Sequence, residues 1–224
     1  MKGAHVPQEA KAQLGLRSDA LANRQRIIES ATEAFTRNGV NASLEDIAKR
    51  AGVGIGTLYR RFPTRAGLIA AVYEPAVEQW AVSVEEAMAH EDPMAGLRQV
   101  FTDLFDLQFS YRGFAAVMTM GFPMSPDFEA TRMRGVAGMR KLTRKAKATG
   151  CLRSDYSTRD LLIFMLANAG IVDAGGDVAE LSSRRLLAYL LRSIAVDDDG
   201  ELPRAPALTE VVDAMRKFRG FPPA

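Results

Sequence analysis

The sequence predicts an all-α fold, a small three-helix domain at the N-terminus followed by a larger helical domain, on three observations. Apolar residues recur at spacings of three and four through most of the chain, as one face of an α-helix requires. Glycine or proline punctuates these stripes at helix-length intervals. Signals for strands are absent, and so are internal repeats.

Taken in order, residues 1–22 lack apolar periodicity and read as a flexible N-terminal arm. From Arg24 the pattern turns helical, with Ile27, Ile28, Ala31, Ala34 and Phe35 on one broad face. Gly39 stops that helix, because glycine accepts the left-handed conformation that a C-terminal cap often needs. Ser43 starts the next, three residues before Asp46, and Leu44, Ile47, Ala48 and Ala51 form its inward face. Gly52 ends it. After Val53 and Gly54 the chain enters Ile55-Gly56-Thr57-Leu58-Tyr59-Arg60-Arg61-Phe62, where Leu58 and Phe62 can pack inward and leave Thr57, Arg60 and Arg61 outside. Two short helices joined by a tight glycine-bearing turn describe a helix-turn-helix.

Pro63 breaks this helix and Thr64 can cap the next, which runs through Leu68, Ile69, Val72 and Tyr73 toward Trp80. Pro75 is expected to interrupt and kink it, since proline removes one backbone donor and clashes with the preceding turn. Beyond Pro93, Leu97 to Leu107 form an apolar stripe, and Phe114 to Phe122 form a short methionine-rich stretch ended by Pro123. Phe128 to Ala148 read as an amphipathic helix with strongly basic final turns, closed by Gly150. Ser157 or Thr158 caps a helix through Ile171, and Leu186 to Ile194 belong to another. Asp197 to Pro206 read as a loop and Leu208 to Phe218 as a last helix. The organisation expected is an arm at 1–22, a helix-turn-helix domain at 23–72, and a helical domain at 73–224.

Charge adds a direction. The whole chain is nearly balanced at +2, but residues 1–65 carry 11 Lys/Arg against 6 Asp/Glu. The remaining residues carry 18 against 21, so only the first part is suited to a polyanion. A single cysteine, Cys151, excludes an intrachain disulfide, and with no signal-peptide pattern the reading is a reducing, cytoplasmic compartment. No run of about 18 apolar residues is present, which argues against a membrane partner.

The succession Ser43-Leu44-Glu45-Asp46-Ile47-Ala48-Lys49-Arg50-Ala51-Gly52-Val53, then Gly56-Thr57-Leu58-Tyr59-Arg60-Arg61-Phe62, resembles the DNA-binding domain of tetracycline-repressor-type (TetR/AcrR) regulators. Arg26-Ile27-Ile28 with Ala31, Phe35 and Gly39 is similar to that family's first helix, so the resemblance covers about residues 24–72. It implies a three-helix DNA-binding domain, a helical ligand-binding and dimerisation domain, and binding of a homodimer to a palindromic operator in double-stranded DNA. One departure stands out. Many relatives carry serine or threonine where this chain has Gly54, so a side chain able to cap the recognition helix and touch a phosphate is missing.

By this resemblance the recognition helix spans about Ile55 to Arg61, with Thr57 and Tyr59 at phosphate- or groove-contacting positions. Arg60 is expected to read a base, because a guanidinium pairs bidentately with guanine in the major groove. Arg61 is expected on the backbone, Arg65 on a flanking phosphate, and Ile55 and Gly56 in apolar contact and close approach. Ser43 and Arg24 complete the expected DNA-binding set, with Arg24 reaching phosphates or a minor groove from the arm side.

In the larger domain, Trp80, Phe101, Phe105, Phe109, Met118, Phe122 and Phe128 are the candidates for lining a mostly apolar cavity for an unknown small-molecule effector. The same residues would serve as plain core in most helical proteins. Leu162, Met165, Leu166, Ala169, Leu187, Leu190 and Leu191 are candidates for the dimer interface, with intrachain packing as the competing use. The helix that starts after Pro63 and runs toward Trp80 offers a route by which ligand would alter the spacing of two recognition helices.

An enzyme would need a nucleophile–base pair, clustered carboxylates or metal-ligand spacing. Only His5 and His90 are present, with no HExxH, CxxC, phosphate-binding loop or nucleophile elbow, so no catalytic, metal or cofactor residues are assigned. A nonspecific architectural DNA binder is the alternative. That class calls for a more basic chain and no ligand-sized apolar domain.

Overall fold

The structure, a computed structural model, describes residues 8–119, 124–174, 178–196 and 209; for residues 8–18 and Ala174 the description is of the backbone alone. Among the described residues the named elements are α1 (Gln8–Asn38), α2 (Leu44–Arg50), α3 (Ile55–Arg61), α4 (Arg65–Met88), α5 (Pro93–Ser110), α6 (Phe114–Met118), α7 (Pro126–Ala148), α8 (Asp160–Ala174) and α9 (Ala179–Ile194). An isolated bridge between Leu152 and Ala195 adds a single extended pairing. The fold is all-α, as the sequence predicts.

The chain divides into two compact units between Val72 and Tyr73. In the first, α2 packs against both α1 and α3, and Ile27, Ala31 and Phe35 of α1, Ile47 and Ala48 of α2 and Leu58 of α3 are all buried. Fully burying a side chain such as Leu58 contributes about 1.5–3 kcal/mol. Gly39 ends α1 with φ of 71° and donates its N–H to Phe35 O at 2.9 Å. Gly52 turns the chain out of α2 with φ of 67°. These are conformations that L side chains rarely adopt.

In the second unit α5 lies at the centre, packed against α6, α7, α8 and α9, while α8 and α9 pair with each other. Leu97, Val100, Phe101, Leu104 and Phe105 of α5 supply the buried stripe. A buried polar chain crosses this apolar core. Gln108 donates to Met165 O at 2.8 Å, Asn168 donates to Gln108 Oε1 at 2.6 Å, and Ser183 donates to Asn168 Oδ1 at 2.5 Å. It ties α5, α8 and α9 together by groups that would be costly to leave unpaired.

Two expectations change. Residues 8–22, read as an arm without periodicity, are helical and continue α1 back to Gln8. The stretch lacks an apolar stripe, but Gln, Ala, Lys, Leu and Arg are good helix formers and need no packed face to continue an existing helix. Pro75 does not interrupt its helix, since α4 carries it inside Arg65–Met88. Of the methionine-rich stretch, Phe114–Met118 is helical. Residues 1–7, the loop read at Asp197–Pro206, Phe122 and nearly all of the last helix read at Leu208–Phe218 lie outside the described residues.

Candidate nucleic-acid interface and ligand cavity

The first unit builds one exposed helix on a fixed base. Ser43 caps α2: its hydroxyl accepts from Asp46 N at 3.2 Å and donates to Glu45 Oε2 at 3.0 Å. A backbone hydrogen bond and then the Ser43 hydroxyl hold the Glu45 carboxyl below its ordinary range. α3 follows after Gly54, whose backbone is extended and which offers no side-chain cap. Leu58 and Phe62 are buried, so the opposite side of α3 faces outward. That side presents Ile55, Gly56, Tyr59, Arg60 and Arg61, all exposed, with Thr57 half-buried beside them. Arg60 donates to Thr57 Oγ1 at 3.3 Å, one turn back, which steers the guanidinium along the helix.

Three of the other predicted residues are already engaged within the unit. Arg65 Nη1 donates to Val40 O at 3.0 Å and Ala42 O at 2.7 Å, clamping the turn between α1 and α2. Arg24 lies over the Phe62 ring, 5.4 Å from its centroid. Ser43 spends its hydroxyl on the cap. All three hold the frame that presents α3.

In the second unit, a cavity of about 410 Å³ opens between α4, α7 and the start of α8. Of the residues expected to line it, the structure brings Trp80 and Met118 there. Phe101, Phe105 and Phe128 are buried core elsewhere, Phe109 is half-buried and away from the cavity, and Phe122 lies outside the described residues. The sequence reading missed most of the wall. Val136, Met139 and Arg140 come from α7, with Arg132 a turn earlier, and Thr158, Arg159 and Leu161 come from the approach to α8. The available signal was the spacing of Arg132, Val136, Met139 and Arg140, which puts them on one face of α7.

Trp80 is seated by a close approach: a Cβ built on Gly135 would lie 2.4 Å from its Cζ3. Its indole N–H is buried without an acceptor among the described residues, and the buried hydroxyls of Thr143 and Tyr156 likewise have no partner there. Burial, and then the neighbouring Asp160 carboxylate, push the Tyr156 phenol well above the usual tyrosine range, so it remains a proton donor. Arg132 is paired with Glu129 at 2.7 Å. Arg134 bridges Glu78 and Glu85 on α4, which raises its pKa.

The expected dimer residues split. Met165 and Leu187 are buried within their own chain, and both Leu162 and Met165 line the cavity. Leu162, Leu166, Ala169, Leu190 and Leu191 are half-buried. The large apolar side chains that α8 and α9 expose are instead Ile163, Leu181 and Tyr189. Among the described residues no cluster of three or more His, Cys, Asp or Glu could hold a metal ion, and no helix is long and apolar enough to cross a membrane.

A capped short helix, a glycine turn and a second short helix with an exposed basic face define a helix-turn-helix protein. The signature described as bacterial regulatory proteins, tetR family, matches residues 27–72. An HTH-type transcriptional regulator of Staphylococcus aureus is 50% identical over 54 residues, 24% of this chain and 29% of that protein. The match therefore spans under a third of the curated relative. A TetR transcriptional regulator of Streptomyces coelicolor is 32% identical, covering 78% of this chain and 99% of that one, with a TM-score of 0.49. A ketosteroid transcriptional regulator of Mycobacterium tuberculosis shares the fold at a TM-score of 0.58 and 18% identity, over 77% of this chain and 94% of that one. On the sequence agreement, the chain belongs to the tetR family of bacterial regulatory proteins.

Proposed function

We propose that this protein is a ligand-responsive transcription regulator, a repressor in its usual mode. It binds a palindromic operator as a homodimer in the cytoplasm and is released by a small, largely apolar molecule. The observation that carries the DNA-binding half is α3, which turns Leu58 inward and exposes Ile55, Gly56, Tyr59, Arg60 and Arg61 on one side. A helix of this kind enters the major groove with its N-terminal and outward residues on the base edges. Arg60 is the base reader, suited to guanine, and Tyr59 and Thr57 supply hydroxyls to phosphate. The roles of Arg24, Ser43 and Arg65 are then to hold α3 in place, with phosphate contact secondary. The cavity beside Trp80 supports the sensing half. Ligand acts by altering the separation of two recognition helices, and α4 is the candidate lever because it contributes Leu68 to the first unit's core and Trp80 to the cavity wall.

The test is selection from fragmented genomic DNA of the source organism, with a Tyr59→Ala, Arg60→Ala double variant alongside. Enrichment of one palindromic site, lost in the variant, is the expected result. Retention that unrelated DNA competes away equally well would favour the nonspecific architectural reading instead. Affinity should also fall steeply with salt, as phosphate contacts require.

A further inference from the structure

We infer that the molecule taken by the second unit is an amphipathic anion, with its apolar body beside Trp80 and its oxyanion head in an adjoining cationic cleft. This rests on reading the unit as a sensor. A second, more open cleft of about 440 Å³ is lined by Arg140, Thr143, Arg144 and Lys147 of α7 together with Tyr156 and Thr158. The four α7 residues fall at spacings of three, four and seven from Arg140, so one face of the helix supplies all of them. Arg140 and Thr158 line both this cleft and the apolar cavity, so the two adjoin. Along α7 the wall changes from Met133, Val136 and Met139 to Arg140, Arg144 and Lys147. The basic final turns already visible in the sequence therefore border a cavity.

Two further observations separate this cleft from an ordinary solvated basic face. Thr143 and Tyr156 line it, both are buried, at 6% and 1% residue exposure, and neither hydroxyl has a hydrogen-bond partner among the described residues. Buried hydroxyls are normally paired, and two orphans in one cleft call for an acceptor from outside the chain. The guanidiniums of Arg140 and Arg144 have no ion-pair or hydrogen-bond partner among the described residues. Lys147 is partly occupied, donating to Ser154 O at 2.7 Å. The nearby carboxylate, Asp160, accepts from Ser157 N at 2.7 Å. Two open guanidiniums and two hydroxyl donors fit a carboxylate or a phosphate head, and charge-assisted bonds of this kind are the strong ones.

Trp80 is the chain's single tryptophan and lines the cavity, so its fluorescence reports occupancy directly. The purified full chain is titrated with decanoate, decyl phosphate and decanol, each below its micelle concentration. At least one anion is expected to bind about tenfold or more tighter than decanol. That advantage should fall severalfold or more in Arg144→Gln, Lys147→Gln, two residues that line the cationic cleft and not the apolar cavity, with decanol affinity unchanged, and should shrink in Thr143→Val and Tyr156→Phe, which alter no charge. Preference for decanoate over decyl phosphate, or the reverse, identifies the head group. Equal binding of decanol, an anion preference that survives the double variant, or no binding of any probe overturns the inference. DNA release is scored separately. Anions that bind without changing DNA affinity would sink the sensor reading and leave the site standing, whereas release by neutral apolar molecules alone would do the opposite.

Discussion

Gly54 occupies the N-cap of α3 with φ of −70° and ψ of 149°, a conformation any L residue adopts, and a Cβ there would meet open space. Nothing in the fold therefore requires glycine at this position. A serine would accept from an N–H of the first turn and point its hydroxyl at the helix end that favours a phosphate. Gly54→Ser is expected to stabilise the chain by a few tenths of a kcal/mol, read by thermal unfolding. Operator affinity should rise by less than about tenfold, read by fluorescence anisotropy. A loss of DNA affinity with unchanged stability would mean that the backbone at Gly54 approaches the DNA too closely for a side chain. Arg65 makes a different point at the same scale. By charge it reads as a phosphate contact, but its Nη1 serves two carbonyls of the turn before α2.

Between elements, glycines set how closely helices approach. A Cβ on Gly135 would stand 2.4 Å from Trp80 Cζ3 and 2.7 Å from its Cε3, and one on Gly138 would stand 2.6 Å from Val84 Cγ1. Both residues lie on α7 and both contacts are with α4, so these glycines let α7 pack against the indole. Gly135→Ala is expected to cost about 1–3 kcal/mol, the usual penalty for overpacking, and to shift the Trp80 emission. Urea unfolding followed by that emission measures both; an unchanged midpoint and spectrum would show that the indole swings away freely. The same scale explains what the sequence made legible. Ser43 as a cap, Gly39 and Gly52 as stops, and Leu58 and Phe62 as the inward pair are all decided within a few residues of each other. The cavity wall is decided by what stands opposite α7, and no local pattern states that. Phe101, Phe105 and Phe128 went to the core because a large aromatic gains more from complete burial than from lining a space. Arg140 and Arg144 show in the sequence only as part of a basic helix end, because their neighbours across the cleft, Tyr156 and Thr158, lie on the approach to α8.

For the whole molecule, the resemblance to tetracycline-repressor-type regulators implies a homodimer, and a two-fold partner needs a surface free of intrachain duty. Met165 and Leu187 do not meet that condition, because their own chain buries them. Ile163 at 39% exposure and Leu181 at 72% do, and both belong to the packed pair α8 and α9; Tyr189, at 53%, is exposed beside them but already engages Arg185. A second copy of this chain is the proposed occupant. Placing charge there, with Ile163→Glu and Leu181→Glu together, leaves the buried Gln108–Asn168–Ser183 chain intact and should leave the helical content unchanged. The expected outcome is a monomer by sedimentation velocity at concentrations where the parent chain is a dimer. DNA binding should then weaken by far more than it would from altered charge alone, since joining two half-site contacts in one molecule makes the second contact intramolecular. The salt slope separates the two causes. A monomer that keeps its α3 contacts should show about half the slope of the dimer on the same operator, because half as many phosphates are neutralised. A variant that stays dimeric would exclude this surface of α8 and α9 as the interface. A monomer with undiminished affinity and slope would instead show that one helix-turn-helix suffices for the site.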